Sequence, residues 1–129
     1  MDIDIILNEF ASPQEAAALS KLAESYGMRG VWSSSYGDGW DPFMTLALAA
    51  DQTNSIQLGP LAMSPYELHP LKITNALHSL NQMSDGRAMI CIGGGGGVIQ
   101  HMGMKRDRII AHLRECLEIM NGVSAEKTL

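Results

Sequence analysis

The chain has 129 residues, 46% of them hydrophobic and 18% charged, which suits one compact domain with a real core and excludes a disordered polar chain. Its formal net charge of −5 argues against a general binder of nucleic acid or membrane surfaces, because neither partner favours an acidic surface. No run approaches the ~18 apolar residues of a membrane span.

Met1-Asp2-Ile3-Asp4 is acidic and lacks the basic start and apolar core of a signal peptide, so a cytoplasmic protein is expected. Cys91 and Cys116 sit inside apolar patterns and read as buried free thiols of a reducing compartment. The first strand is expected over about Ile3 to Leu7. Ser12-Pro13-Gln14-Glu15 then forms a capping-box start with proline at the first helical position. Leu19, Leu22, Ala23 and Tyr26 follow at helical spacing, and Gly27 is a stop. A second strand, Gly30 to Ser34, leads through a glycine-bearing loop to Asp41-Pro42, which opens a helix reaching about Thr53.

The third strand is expected over Ile56 to Met63. Pro70 opens a helix whose Ile73, Ala76, Leu77 and Leu80 share one face, and Asp85-Gly86 marks a turn. A fourth strand, Ala88 to Ile92, runs directly into five glycines, Gly93, Gly94, Gly95, Gly96 and Gly97. The last helix starts near Asp107, carries Ile110, Leu113, Leu117 and Met120 on one stripe, and is expected to end at Asn121-Gly122, leaving residues 123–129 irregular.

The strand starts at Ile3, Val31, Ile56 and Ala88 lie about 25–32 residues apart, a spacing that means parallel strands joined by crossover helices. Two architectures compete: an open doubly wound sheet, and part of a (β/α)8 barrel, whose full form needs roughly 200 residues or more. The nucleotide fingerprints do not support the first. A G-x-G-x-x-G register starting at Gly93, Gly94 or Gly95 meets Val98, Ile99 or Gln100 where a small residue is required. The first βα turn, Asn8-Glu9-Phe10-Ala11, has no glycine.

Leu58-Gly59-Pro60-Leu61-Ala62-Met63-Ser64-Pro65-Tyr66-Glu67-Leu68-His69-Pro70 resembles the bacterial luciferase-like superfamily, and within it the deazaflavin-dependent methylenetetrahydromethanopterin reductases. The family pattern there is an apolar strand, Gly-Pro or Gly-Thr, a short bulge, Asn/Ser-Pro-Tyr, then His-Pro opening a helix. Ala76 to Met83 followed by Ser84-Asp85-Gly86-Arg87 resembles the next family segment, and the glycines match its Gly-rich fourth strand end. The resemblance covers about Ile3 to Gly122. It implies that residues 1–129 form a single α/β domain of four βα units, the N-terminal half of a TIM (β/α)8 barrel.

The activity implied is hydride transfer between a reduced deazaflavin (coenzyme F420) and a small organic substrate such as a methylene-pterin. The alternative within the fold is an FMN-dependent monooxygenase. Much of the family's cofactor-phosphate binding comes from the second half of the barrel. A third reading is therefore a non-catalytic half-barrel module or truncated gene product that binds no cofactor alone. The resemblance implies a non-proline cis peptide behind the cofactor ring, matching Leu61–Ala62, with Met63 beside it, and a glycine wall from Gly93 to Gly97. Many members carry an Asp-His pair after the second strand. Ser35 and Tyr36 stand at those positions, so Ser35 is a candidate cofactor contact and Tyr36 a candidate hydrogen-bond donor.

Asp38 is a candidate carboxylate for proton transfer and Trp40 a candidate stacking ring, against the plainer reading of a solvated acid and a packing Trp. Glu9 reads equally as a pocket acid or a surface carboxylate. His69, His78, His101 and His112 lack metal-ligand spacing, and no metal is expected. Among them only His101 is kept as a candidate substrate contact. A lone half barrel bares apolar interior residues such as Ile5, Leu7, Ile56, Leu58, Ile90 or Ile92, and two sheet edges. Self-association or a complementary C-terminal half is therefore expected.

Overall fold

The computed structural model describes residues 1–126. The elements run β1 (Asp4–Leu7), α1 (Pro13–Ser25), β2 (Gly30–Ser34), α2 (Pro42–Gln52), β3 (Gln57–Leu61), α3 (Pro70–Met83), α4 (Gly96–His101) and α5 (Ile109–Glu126). The three strands form a parallel sheet in the order β1-β2-β3. Ile5 pairs with Val31 and Val31 with Leu58, so the strands advance side by side with their carboxyl ends at one edge.

Local chemistry sets the helix starts. Ser12 Oγ accepts from the Glu15 N–H at 3.3 Å while Glu15 Oε2 accepts from the Ser12 N–H at 2.9 Å, closing the capping box of α1. Asp41 Oδ1 accepts from the Met44 N–H at 2.9 Å above α2. His69 caps α3 through Nδ1, which accepts from the Leu71 N–H at 3.2 Å. A proline follows each cap, where its missing N–H costs nothing.

The expected fourth strand is not a ladder. Ala88 to Ile92 lies beside β3 through two parallel bridges, Leu58 with Ala88 and Met63 with Ile92. Two local causes break it. Pro60 has no N–H to give to the Met89 carbonyl, although its own oxygen accepts from the Cys91 N–H at 3.2 Å. Between the two bridges the β3 side then advances five residues against four, so one residue is extra, a bulge at the strand's end. The bulge holds the Leu61–Ala62 peptide, which is cis as the resemblance implied. Close approach also needs Gly59, where a Cβ would stand 2.2 Å from the Met89 carbonyl oxygen.

The core lies between the sheet and its helices, around Leu7, Val31, Leu46, Ile56, Leu58, Ile73 and Leu80. Helix α3 buries Ile73 and Leu80 as its spacing predicted, with Ala76 and Leu77 packed alongside. Helix α1 differs. It buries Ala16, Ala17, Ser20 and Ala23 and leaves Leu19, Leu22 and Tyr26 exposed. Its small-residue face lets it lie close against α2, whose Leu46, Ala49 and Ala50 are buried there.

The parity of the strands also differs from expectation. Ile5, Leu7 and Leu58 face the helices, and Ile56, Ile90 and Ile92 pack into the same core. The open face instead carries Asp4 and Ile6 of β1 and Trp32 of β2; Ile6 is 62% exposed, while Trp32 Nε1 donates to Asp4 Oδ2 at 3.0 Å. Asp4 also accepts from Arg29 Nε at 2.9 Å, and this Arg29 pairing, helped by Trp32, holds its carboxyl down at about 2. The bared face is thus partly polar.

The last helix continues through Asn121-Gly122 to Glu126, so residues 123–126 are helical rather than irregular, and Lys127 to Leu129 lie outside the described residues. Its final turn docks on α3, where His78 Nε2 and Ser124 Oγ are hydrogen-bonded at 3.1 Å. Cys116 and Met120 form its buried stripe, while Ile110 and Leu117 are exposed. Cys116 is a buried free thiol, and Cys91 only half-buried. Among the described residues no helix is long and apolar enough to cross a membrane.

Candidate functional site

The carboxyl edge of the sheet gathers three segments around one cleft of about 280 Å3: Ser35 and Tyr36 after β2, Leu61 and Ala62 in the bulge, and Gly93 to Val98. Main chain ties these segments together. The Ser35 N–H donates to the Leu61 oxygen at 3.0 Å. The Met63 N–H donates to the Cys91 oxygen at 2.9 Å, and the Gly93 N–H to the Met63 oxygen at 2.8 Å.

The glycine run divides into two parts with different reasons for glycine. At Gly95, φ is +68° and a Cβ would meet Ile99 Cγ1 at 2.5 Å and Ser64 Oγ at 2.6 Å. That position turns the chain from the strand-like segment into α4. At Gly96 and Gly97 a Cβ would meet nothing within 4 Å. These two leave one wall of the cleft as bare main chain rather than packed backbone.

A second cleft of about 450 Å3 adjoins the first, lined by Tyr36, Gly37, Asp38, Gly97, Val98, His101 and Met102. Tyr36, Gly97 and Val98 belong to both. The structure therefore brings Ser35, Tyr36, Leu61, Ala62 and all five glycines to one cleft, and Asp38 and His101 to its neighbour. Met63 is not in either lining. Its side chain is 5% exposed and faces the core, so only its backbone serves the site. Glu9 and Trp40 lie outside both linings, and the Trp40 N–H donates to the Glu9 oxygen at 3.1 Å, tying the first two loops together.

The residue that sequence reasoning passed over is Glu67, which lines the inner cleft. It lay within the Ser64 to Pro70 stretch, read for its resemblance to the family pattern with no role given to this acid. An acid among apolar and proline neighbours in the loop after a strand's carboxyl end was the available signal. Ser64 positions it: its carbonyl accepts from the Glu67 and Leu68 N–H groups at 3.1 Å, and its Oγ accepts from the Tyr66 N–H at 3.2 Å. Tyr66 turns away, donating its hydroxyl to the Asp107 carbonyl and stacking on His112 with centroids 5.1 Å apart. Burial pushes the Glu67 carboxyl above its ordinary range.

The remaining histidines have structural partners: His101 Nδ1 bonds the Gly97 oxygen at 2.9 Å, and His69 is the α3 cap. Among the described residues no three His, Cys, Asp or Glu side chains gather in a way that could hold a metal ion. The walls of the inner cleft are main chain, apolar side chains, small polar groups and Glu67, and its volume of about 280 Å3 falls just below the roughly 300–1,000 Å3 of ligand pockets. Among the described residues no Lys or Arg lines either cleft.

Comparison with known proteins completes the description. A family model described as luciferase-like monooxygenase matches residues 4–129. The 5,10-methylenetetrahydromethanopterin reductase of Archaeoglobus fulgidus is 29% identical over 110 residues, covering 84% of this chain and 33% of that protein. The solved coenzyme F420 dependent tetrahydromethanopterin reductase from Methanopyrus kandleri superposes with a TM-score of 0.79 at 27% identity, over 88% of this chain and 38% of that one. The oxygenating constituent of 3,6-diketocamphane monooxygenase from Pseudomonas putida, a type II Baeyer-Villiger monooxygenase solved with FMN, shares the fold with a TM-score of 0.78 at 23% identity, over 93% of this chain and 38% of that one. The chain spans about a third of the length of the first of these relatives.

Proposed function

The chain belongs to the luciferase-like monooxygenase family, and from that premise we propose that its inner cleft takes the ring of a deazaflavin, coenzyme F420, for hydride transfer with a small organic substrate. The observation that carries this reading is the single cleft shared by the Leu61–Ala62 bulge, the Ser35–Tyr36 strand end and the bare glycine wall. When bound, a reduced deazaflavin supplies the hydride. The chain's own work is geometric. Leu61 and Ala62 support the ring, Gly96 and Gly97 let it lie against main chain, and Ser35 and Tyr36 offer hydrogen bonds at its border.

The adjoining cleft is the substrate side of this reading, with a methylene-pterin as one candidate substrate. Tyr36 lines both clefts and in this reading orients the reacting partners, while Asp38, in the lining of the second cleft, is the proton-transfer group on the substrate side. The cations for the cofactor's phosphate, and the opposite wall of the cleft, come from the half barrel that these four units lack. It is supplied by further chain, by a separate C-terminal half or by a second copy of this one. The test is a titration of the purified protein with coenzyme F420 and, in parallel, with FMN, followed by absorbance and fluorescence. Preference for F420 supports the reading. Preference for FMN favours the monooxygenase reading of the same fold, and binding of neither leaves a non-catalytic half-barrel module.

A further inference from the structure

Glu67 is an acid with an unusual setting. It sits on the wall of a cleft otherwise lined by glycines, Leu61, Ala62, Val98, Ser35 and Tyr36. Among the described residues no Lys or Arg shares that lining and no hydrogen bond to its carboxylate is present. Its backbone is held by Ser64, and its neighbour Tyr66 is committed elsewhere, to Asp107 and His112. The turn thus holds Glu67 at the cleft while its carboxylate has no hydrogen-bond partner among the described residues. Partial burial strips some of the water from this carboxylate, which costs free energy although solvent still reaches it. That cost is offset when something entering the cleft brings a donor.

We infer that Glu67 is a ligand-binding residue of this cleft, its carboxylate accepting a hydrogen bond from an N–H group of the flat heterocycle that occupies it. The inference rests on the cleft being a ring site, and it adds a polar selector to a wall that is otherwise main chain and apolar. The direction is set by charge. Burial raises the carboxyl's affinity for protons, and in its ionised form the carboxylate can only accept hydrogen bonds. The occupant selected is therefore a heterocycle with an acidic or amide-like N–H, and a ring whose N–H is blocked should be poorly retained. Charge-assisted hydrogen bonds are the stronger kind, so truncation should be visible in affinity.

The experiment is a binding cycle followed by fluorescence quenching. The probes are riboflavin, which carries a ring imide N–H, and 3-methylriboflavin, in which that N–H is replaced by N–CH3. The proteins are the wild type, Glu67→Gln and Glu67→Ala, each first shown to have the wild-type circular dichroism spectrum. Riboflavin should bind the wild type about 10-fold more tightly than Glu67→Ala, with Glu67→Gln between them because its amide oxygen still accepts. The methylated probe should bind all three alike, and more weakly than riboflavin binds the wild type. Equal loss of both probes on truncation would assign Glu67 a merely structural role and overturn the inference. Riboflavin binding that is indifferent to Glu67 would overturn it too, while leaving the ring site intact. Failure of the wild type to bind riboflavin would overturn the inference, while the ring reading itself is decided separately by the F420 titration.

Discussion

Arg87 should be the most costly single polar residue to remove. All five of its guanidinium N–H donors are used. Nε donates to the Ser84 oxygen at 2.6 Å, Nη1 to Thr53 Oγ1 at 2.9 Å and the Ile56 oxygen at 2.8 Å, and Nη2 to the Ala50 and Thr53 oxygens at 2.9 Å each. These partners come from the end of α2, the start of β3 and the end of α3. Ala50, Thr53, Ile56 and Ser84 are each less than 5% exposed. The fork therefore closes the amino end of the sheet, opposite the cleft, and adds a cation at the carboxyl end of the α2 dipole.

Replacement by Met keeps the aliphatic stem and strands four carbonyls. Each unsatisfied buried acceptor costs about 1–3 kcal/mol, and the partly buried side chain leaves a path by which water repairs some of them. A net loss of about 4 kcal/mol is expected, set against a typical domain stability of about 5–15 kcal/mol. Lys restores the charge and at most three donors without the planar fork, so Arg87→Lys should lose about 2 kcal/mol. Urea unfolding at 25 °C, followed by circular dichroism, measures both. With m near 2 kcal/mol per molar, Arg87→Met should move the midpoint down by about 2 M at unchanged m. A loss below about 1 kcal/mol for Arg87→Met, or the same loss for Lys and Met, would refute the account of a five-donor clamp. Because Arg87 lies at the far end of the sheet, riboflavin affinity of the folded Lys variant should stay at the wild-type value.

Glu24 Oε1 accepts from the N–H groups of Asn54, Ser55 and Ile56 at 2.6–3.0 Å. Burial pushes its carboxyl up, but these bonds outweigh it and hold the group at about 2, below its ordinary 4.5. The lowered value makes the ionised form the stabilising one, so its contribution is complete above pH 4.5 and is lost as pH falls through about 2. Glu24→Gln should cost about 1–2 kcal/mol at pH 7, discounted for solvent, and urea midpoints should show the gap from wild type closing between those two pH values. A gap independent of pH would count against it. The glycine run should separate under substitution. Gly95→Ala, with a positive φ and two crowded contacts, should cost about 3 kcal/mol, whereas Gly97→Ala should leave stability unchanged or raise it by about 0.5 kcal/mol. Riboflavin titration should nonetheless find Gly97→Ala weakened, because its methyl group enters a wall common to both clefts, and equal affinity would place the ring elsewhere.

What could be read ahead of the structure followed the range of the signal. Ser12-Pro13, Asp41-Pro42 and His69-Pro70 act within a few residues, and each helix begins where they indicate. The faces were harder because more than one choice was apolar. Ile5, Ile6 and Leu7 satisfy either strand parity, and packing, not pattern, turned Ile6 outward. In α1 the larger Leu19 and Leu22 lost to Ala16, Ala17 and Ala23, since only small residues allow the close approach to α2. The fourth strand failed as a ladder for a reason held by its neighbour, the missing N–H of Pro60 and the extra residue after it. Asn121-Gly122 is a genuine stop signal overridden by the docking of Ser124 on His78.

The site was legible to the extent that it is made of strand ends, because parallel strands in sequence must finish at one edge. Ser35, Leu61 and Gly93 are far apart in sequence yet converge for that topological reason alone. Glu67 belongs to no strand end. It reaches the cleft only because Ser64 bonds three successive N–H groups, those of Tyr66, Glu67 and Leu68, and folds the loop back. This difference also orders the consequences of mutation. Changes at the strand ends alter the shape of the cleft together with the sheet that carries it. A change at Glu67 alters what the cleft prefers while the sheet stays intact, which is why the blocked and unblocked probes, rather than stability, are the measurement that distinguishes its role.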